Sequence, residues 1–281
     1  MIGSRSVLAA TLALWAGAAL AQDADQDWAW CRAELGGAHA VSPELKIRGC
    51  TAHIEAPGET PRRVSFALVM RGSAYFAQKQ DAQGFADLRR AVQVDPTFSY
   101  AWAESCSYDM WRKKDSKLAM QECSKAIEVN PKDASGWTYR GDIYLNLRDY
   151  ERAEADYTHA IELAPRWMWP WDNRGEAYLR AGDVDRAIQD FEQVIKVQPD
   201  YAMGYLDRGI ANFKKRQYAV ARADFEAGLK VDPKCTACLL GRGLVRRTTG
   251  DPAGGDADIA AAKAMNPEAG RGFKEDGVAV P

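Results

Sequence analysis

Two cysteines near the C-terminal end of the chain are the residues best suited to chemistry. Cys235 and Cys238 form a C-x-x-C pair within DPKCTACLLGRG. Such a pair can act as a redox centre where a helix N-terminus lowers the thiol pKa, and it can supply half of a zinc site where a second ligand pair lies nearby. No second pair lies near it in the sequence, and no thioredoxin-like strand–helix unit surrounds it. A structural disulfide and packed free thiols are the other interpretations.

Other catalytic signatures do not occur in the sequence. The three histidines, His39, His53 and His159, form no HExxH motif and no metal-spaced pair. There is no nucleophile elbow, no P-loop and no dinucleotide-binding glycine motif after a strand. Asp172 and Glu176 lie four residues apart on one helix, which is typical of a solvated acidic face. We therefore expect no enzyme, no cofactor and no metal site.

The composition is that of a soluble globular protein. The 281 residues are 47% hydrophobic and 27% charged, and the formal net charge is −2. A protein that binds nucleic acid usually carries a basic face or a basic total, so we expect no nucleic-acid partner. Beyond residue 21 no uncharged apolar run is long enough for a spanning helix, so we expect no membrane span in the mature chain.

The N-terminus has the pattern of a bacterial secretory signal peptide. Arg5 precedes an apolar run over residues 7–20, which ends in an A-x-A cleavage site. We expect a signal peptide over residues 1–21, cleavage near Ala21/Gln22, and a mature protein in the periplasm or outside the cell. An uncleaved anchor is the alternative. In an oxidising compartment, the even number of cysteines, six, favours disulfides.

A repeat of about 34 residues runs through most of the chain. Six prolines are spaced 35, 34, 34, 34 and 34 residues apart: Pro96, Pro131, Pro165, Pro199, Pro233 and Pro267. A glycine column in the same register holds Gly72, Gly141, Gly175, Gly209 and Gly243, with Cys106 in the second repeat. A later column holds Leu88, Cys123, Tyr157, Phe191, Phe225 and Ile259. Each unit is expected to be a helical hairpin, because a glycine lets two helices approach closely and a proline ends the second helix.

This pattern resembles the tetratricopeptide repeat family, and the third repeat, GWTYRGDIYLNLRDYERAEADYTHAIELAP, carries it almost intact. The resemblance covers residues 63–267 and implies an all-α fold, a right-handed superhelical solenoid of stacked antiparallel helical hairpins. The six repeats are expected at about 65–98, 99–133, 134–167, 168–201, 202–235 and 236–267. Residues 22–62 are expected to form an atypical helical cap. Residues 268–281 are expected to form a capping segment or tail, with one short helix around Phe273.

A charged pair recurs in the same register. An arginine precedes each glycine of the column, and an aspartate follows each arginine by 16 residues. The pairs are Arg71/Asp87, Arg140/Asp156, Arg174/Asp190, Arg208/Asp224 and Arg242/Asp258. We expect salt bridges within each hairpin, each contributing about 0–1 kcal/mol where exposed, and a charged ligand-binding ladder is the alternative. The second repeat breaks the series with Ser105 opposite Glu122, and its extra residue is expected in the interhelical stretch 112–117.

The repeat register also ranks the possible cysteine pairings. Cys106 and Cys123 occupy the glycine column and the later column of one hairpin, which lie at similar heights. The local alignment matches Cys50 to Cys123, with Cys31 upstream at a similar distance, so Cys31–Cys50 and Cys106–Cys123 are the favoured disulfides among fifteen possible pairings. In this register the C-x-x-C pair begins a first helix, where the helix N-terminus would lower a thiol pKa. The lack of a thioredoxin-like unit and of a second ligand pair nevertheless favours a third structural disulfide, with packed free thiols as the next alternative.

The resemblance further implies a concave groove lined by the first helices of the repeats. The family's groove positions fall here on Tyr100, Trp111, Asp142, Asn146, Trp169, Asp172, Glu176, Arg180, Met203, Leu206, Ile210, Phe213, Leu240 and Leu244. The middle of this set is polar and acidic, which departs from the lysine/asparagine/arginine clamp of the chaperone-binding members. The fifth and sixth repeats present an apolar stripe suited to an amphipathic partner segment, unless the C-terminal tail or a second copy covers it. Trp169 is the candidate hot spot.

The sequence therefore predicts a non-enzymatic scaffold or adaptor that binds a protein or peptide partner in the groove. A thiol–disulfide redox protein acting through the C-x-x-C pair is an alternative. An accessory subunit of an envelope assembly or secretion complex is another.

Overall fold

The structure is a computed structural model that describes residues 25–33 and 41–280; the predicted signal peptide, residues 1–21, lies outside them. Every regular element in the described residues is helical, which confirms the predicted all-α class. None of these helices is both long and apolar enough to cross a membrane. Contacts between helices divide the chain after Pro131 into two compact units.

The first unit begins with two helices joined by a disulfide and continues as two hairpins. Its helices are α1 (residues 25–32), α2 (Pro43–Glu55), α3 (Pro61–Ala77), α4 (Asp81–Val94), α5 (Ser99–Tyr108), a π-helical turn (Asp109–Lys113) and α6 (Ser116–Val129). Helix α2 packs on α3, and the hairpins are α3/α4 and α5/α6.

The second unit contains four hairpins and a final short helix. Its helices are α7 (Ala134–Asn146), α8 (Tyr150–Leu163), α9 (Met168–Ala181), α10 (Val184–Val197), α11 (Ala202–Lys214), α12 (Tyr218–Val231), α13 (Thr236–Thr248), α14 (Pro252–Met265) and α15 (Arg271–Glu275). The hairpins are α7/α8, α9/α10, α11/α12 and α13/α14. The first helices are also neighbours, because α9 contacts α7 and α11, and α11 contacts α13. They form the face on which the predicted groove lies.

Prolines and aromatic side chains set the junctions between hairpins. Helix α10 ends at Val197, two residues before Pro199, as expected from the helix-breaking effect of proline. The indole nitrogen of Trp171 donates to the Pro165 carbonyl at 3.1 Å, and the Tyr205 hydroxyl donates to the Pro199 carbonyl at 3.2 Å. Each bond satisfies a carbonyl that the proline leaves outside the helix, and it ties the next first helix to the turn.

Glycines allow the two helices of a hairpin to approach closely beneath a large ring. A Cβ atom added to Gly175 would lie 2.6 Å from the Phe191 ring, and one added to Gly209 would lie 2.7 Å from the Phe225 ring. Real Cβ atoms do not come this close to a ring, so any larger side chain would force the helices apart. Each glycine of the column therefore contacts the large residue of the later column in the same hairpin, and the two residues come from opposite helices.

The extra residue of the second repeat is absorbed within a helix. In each interhelical turn one residue adopts a left-handed conformation two positions before the next helix; Lys79, Lys114 and Arg148 have φ of 61°, 57° and 60°. The turn after α5 is therefore no longer than the others, and the added residue lies in the π-helical turn Asp109–Lys113. The expectation of a longer interhelical stretch at 112–117 was wrong, because one wide helical turn accommodates the residue without altering the turn geometry.

The predicted arginine–aspartate pairs form inside every hairpin in which both residues occur. Arg174 donates from Nε and Nη2 to the two carboxylate oxygens of Asp190, at 2.8 Å each. In the other four pairs the arginine likewise donates from Nε and Nη2 to the two carboxylate oxygens. The five aspartates are only 3–8% exposed, so these are largely buried pairs and the small energies of exposed pairs do not apply to them.

The second repeat keeps this interaction by exchanging two positions. In the fourth repeat, Arg174 also donates to Thr158 Oγ1 of the preceding hairpin at 2.9 Å. In the second repeat the arginine comes from the preceding hairpin: Arg89 donates to Ser105 Oγ at 3.1 Å and bonds Glu122. The Ser105 hydroxyl in turn donates to Glu122 at 2.9 Å. The apparent break in the ladder is thus a swap of the arginine and hydroxyl positions between adjacent hairpins.

Truncation of one ladder arginine tests the energetic role of these pairs. Arg174→Ala removes the partner of a buried carboxylate and is expected to lower the free energy of unfolding by about 3–5 kcal/mol, measured by urea denaturation. The matched control is Arg222→Ala, because Arg222 and Glu226 form an exposed pair on one helix, with side chains 54% and 46% exposed. That control is expected to cost about 0.5 kcal/mol or less, and equal losses in the two variants would contradict a buried structural role.

Candidate functional site

The candidate site is the face of α9, α11 and α13 in the second unit, here called the C-terminal groove. The apolar stripe predicted on the fifth and sixth repeats forms its floor. Leu206, Ile210, Leu240 and Leu244 are all buried. Met203 and Phe213 are partly buried and pack against the same core.

The C-terminal segment, residues 268–280, covers this floor. Ala269, Phe273 and Val278 are buried in the same core cluster as Leu206 and Ile210. Phe273, on α15, is 1% exposed, and its ring centre lies 6.0 Å from that of Phe225. The sequence left two possible covers for the apolar stripe, the C-terminal tail and a second copy of the chain. In the structure the tail lies in that position.

Two basic side chains hold the C-terminal segment against the groove. Lys214 Nζ donates to the Asp276 carbonyl at 2.6 Å and to the Leu179 carbonyl at 3.4 Å. Arg180 forms an ion pair with Glu275 at 3.4 Å and lies 4.0 Å from the Asp276 carboxylate. Both cations come from the groove, and both contact the acidic end of α15.

Carboxylates crowd the space between the groove and the segment. A cavity of about 170 Å³ is lined by Asp172, Glu176, Asp207, Glu275 and Asp276, among other residues. Burial and then the nearby charge of Glu176 raise the pKa of Asp172 to about 7, although a hydrogen bond from Tyr201 opposes the shift. The same two causes raise the pKa of Asp276 to about 6. The pKa of Asp207 is raised well above its usual value by burial and by its acidic neighbours. The members of this cluster disfavour one another's ionisation, so their pKa values lie above those of exposed carboxyl groups.

The polar middle of the predicted groove is partly internal. Asp142 is buried and accepts hydrogen bonds from the Tyr157 hydroxyl at 2.8 Å and from Asn173 Nδ2 at 2.7 Å. Burial raises the pKa of Asp142 to about 7. These bonds link three helices, so Asp142 has a structural position, whereas Asn146 is exposed at the end of α7.

Two tryptophans of the predicted set are exposed, one in each unit. Trp169 is 43% exposed, and its ring centre lies 5.7 Å from that of Tyr201 in an edge-to-face contact. Trp167 and Met168 join these two residues in lining a shallow surface pocket. In the first unit, Trp111 is 60% exposed and lies in the π-helical turn, while Tyr100 is partly buried.

The structure places all six cysteines in three disulfides. The pairs are Cys31–Cys50, Cys106–Cys123 and Cys235–Cys238, with Cα–Cα distances of 4.6, 5.3 and 5.3 Å. The C-x-x-C pair is buried, with Cys235 4% and Cys238 0% exposed. Thiol–disulfide exchange requires an attacking thiolate to reach a sulfur atom, so this burial disfavours the redox interpretation. In the described part of the chain, no group of three or more histidine, cysteine or acidic side chains is arranged to hold a metal ion.

Several residues of the site escaped sequence reasoning. The contact between Lys214 and Asp276 joins residues 62 positions apart and has no local signal. Asp207 directly follows the groove position Leu206 and lies outside the family's groove columns. The usable signal was Phe273, the single aromatic residue of the tail, which favours a buried site against another part of the fold.

Comparisons with known proteins agree on the repeat. One tetratricopeptide repeat family model matches residues 134–167 and 170–201, and a second matches residues 206–269. No match was found among curated proteins.

Three solved structures illustrate the shared fold. Pseudomonas aeruginosa PilF is 20% identical with a TM-score of 0.65, over 76% of this chain and 98% of PilF. PilW, described as a widely conserved type IV pilus biogenesis factor, is 18% identical with a TM-score of 0.65, over 73% of this chain and 94% of PilW. YrrB, described as a tetratricopeptide repeat protein with an unusual peptide-binding site, is 13% identical with a TM-score of 0.51, over 66% of this chain and 97% of YrrB. At these identities the likeness concerns the fold alone.

Peptide mapping without reduction tests the cysteine assignment. We expect the mature protein to yield the three pairs placed by the structure and no free thiol. Because Cys235 and Cys238 are buried, their bond should resist a mild reductant in the native protein and open once the chain is denatured. Fast reduction of this pair in the native state would contradict a structural role and restore the redox alternative.

The pH dependence of stability tests the carboxylate cluster. Asp276 has a pKa of about 6 in the folded protein against an ordinary value of 3.8, so its favourable contribution to stability is present below pH 3.8 and is lost as the pH rises to about 6. Asp276→Asn mimics the protonated acid. It should therefore be nearly neutral in acid and stabilise the protein by about 1–3 kcal/mol near pH 7.5, measured by urea denaturation.

Asp185→Asn is the control for this pH series, since the Asp185 side chain is 74% exposed. It should show no comparable gain between acid and neutral pH. A gain from Asp276→Asn that does not change with pH would contradict the clustered-carboxylate interpretation.

Proposed function

Because the chain is a tetratricopeptide repeat protein, and such repeats build extended surfaces for binding other proteins, we propose that it is a non-enzymatic scaffold or adaptor that binds a protein or peptide in the C-terminal groove. One observation carries this proposal: a segment of the chain itself occupies the groove as a bound peptide would. Phe273 enters the apolar floor, and Lys214 holds the backbone of the segment by its carbonyl at Asp276. A groove binds an amphipathic helix chiefly through apolar anchors such as Phe273, and a hydrogen bond such as that from Lys214 adds orientation.

We also propose that the protein works in the bacterial periplasm or is secreted. Support comes from the signal-like N-terminus and from three cysteine pairs at disulfide geometry, which persist in oxidising compartments. The likeness to PilF and to the pilus biogenesis factor PilW favours a role as an accessory subunit of an envelope assembly. Trp169 and its exposed pocket are proposed as a second contact point for the same partner.

The proposal predicts that the C-terminal segment binds in trans once the groove is opened. In the full-length protein, Phe273→Ala removes the anchor and should free the groove for a labelled synthetic peptide of residues 266–280. Fluorescence anisotropy should show binding to this variant at least about tenfold tighter than to the wild-type protein, whose own segment competes at an effective concentration in the millimolar range.

Three controls make this experiment decisive. A peptide with Phe273→Ala should not bind, and Leu206→Glu, added to the protein, should abolish binding by placing a charge on the groove floor. Leu147→Glu should leave binding unchanged, because Leu147 is 59% exposed in the same unit. Circular dichroism would verify that each variant is folded, and a folded Phe273→Ala protein that does not bind the peptide would contradict the proposal.

A further inference from the structure

The C-terminal segment matches the shape of the groove better than its charge. It brings Glu275 and Asp276 to a surface that already carries Asp172, Glu176 and Asp207. Arg180 is the one basic residue among those that line the cavity, and it is already paired with Glu176. Lys214 donates to the backbone carbonyls of Asp276 and Leu179, and its charge only partly offsets the raised pKa of Asp276.

Two buried carboxylate oxygens in this cluster have no hydrogen-bond donor in the described residues. They are Asp172 Oδ1 and Asp276 Oδ1. The Asp276 side chain is only 10% exposed, and its Oδ1 lies 4.0 Å from Arg180 Nε, a buried donor that also has no hydrogen-bond partner in the described residues and is too distant to bond it. Buried carboxylate oxygens are almost always hydrogen-bonded in folded proteins, so the groove presents acceptors that a suitable donor would satisfy.

The cavity has the lining of a site for a long basic side chain. The carboxylates lie beside Leu206, Ile210 and Phe273, so the wall is part acidic and part apolar. The methylene stem of a lysine or arginine packs well on apolar groups while its charged head bonds carboxylates. The absence of a metal-binding cluster among the described residues leaves an organic cation as the better match.

The segment has a glycine at the position from which such a side chain would start. Gly272 lines the cavity on α15, next to the anchor Phe273. A Cβ atom added there meets no atom within 4 Å, so the position has room for a larger residue.

Taking the peptide-binding function proposed above as its premise, we propose that the groove's partner is a protein presenting a short amphipathic helix with an aromatic anchor, as at Phe273, and an adjacent lysine or arginine that enters the acid-lined cavity. The partner satisfies the carboxylates that the C-terminal segment leaves without a counter-charge. The segment is therefore the weaker of two occupants, and the partner displaces it.

Single-residue peptide variants test this proposal against the opened Phe273→Ala protein. The Gly272→Lys peptide should bind about tenfold tighter than the Gly272→Ala peptide, which controls for the gain in helix propensity. The gain should shrink at high salt and should largely disappear with Asp172→Asn or Asp207→Asn in the protein. It should also shrink at pH 5, where Asp172 and Asp276, with pKa values of about 7 and about 6, are protonated. The other charged groups that face the cavity are Glu176, Asp207, Glu275, Arg180 and Lys214.

The outcomes separate this inference from the proposed function. If the unmodified peptide binds but Gly272→Lys binds no tighter than Gly272→Ala, the charge inference is overturned and the groove function stands. A gain that survives both Asp→Asn variants overturns it as well. If pentylamine binds the wild-type protein with its segment in place, the cavity serves a free amine and the partner-helix proposal is overturned.

A test within one chain does not depend on peptide binding. In the full-length protein, Gly272→Lys should raise the melting temperature above that of Gly272→Ala at pH 7.5, and the difference should vanish in an Asp172→Asn background. A Gly272→Lys protein that melts at or below the temperature of Gly272→Ala would overturn the proposal even if peptide binding failed.

Discussion

Close approach of two helices at a glycine, under a large side chain from the opposite helix, is the contact on which the rest of the structure depends. In the second unit a ring lies over three of the four glycines of the column, as Phe191 lies over Gly175, and Ile259 takes that place over Gly243. This contact sets the spacing of each hairpin and so the height at which every other column meets. The arginine–aspartate pairs form because that spacing brings residues 16 positions apart face to face. In the first unit the disulfide between Cys106 and Cys123 occupies the same two columns, so a covalent bond replaces the packing contact.

The period of the sequence was sufficient to predict everything that this contact controls. Helix ends at the prolines, the salt bridges within hairpins and the favoured cysteine pairs all follow from a register that repeats locally. The π-helical turn after α5 was not predictable in this way, because a period shows that a residue has been added but not which backbone will absorb it. The exchange between Arg89 and Ser105 was missed for a related reason: the pairing columns were compared within a repeat, whereas the missing arginine comes from the repeat before.

The site was predictable in its floor but not in its covering. The apolar positions of the fifth and sixth repeats follow from the register, and the structure buries Leu206 and Ile210 in one core cluster. The C-terminal segment lies beyond the last repeat, so no column assigns it a place. Its docking depends on contacts distant in sequence, such as that from Lys214 to the Asp276 carbonyl. Asp142 shows the converse: its column suggests an open groove position, but Tyr157 and Asn173 bond it inside the fold.

Two kinds of buried carboxylate distinguish the scaffold from its binding surface. Asp190 and its counterparts each receive two hydrogen bonds from an arginine of their own hairpin. These bonds offset the cost of removing the carboxylate from water. Asp172, Asp207 and Asp276 have no dedicated arginine, and their pKa values are raised accordingly. The aspartates of the repeat column are thus paired with arginines, and Asp142 receives neutral donors instead. Around the C-terminal groove several acids crowd one another, and Arg180 is the one basic residue that lines their cavity. There the covering segment gains from apolar burial and from its tether to the groove, and it loses through charge. The tether gives the segment an effective concentration in the millimolar range, so an untethered partner can displace it only through higher intrinsic affinity. Better charge complementarity with the groove is a source of that affinity.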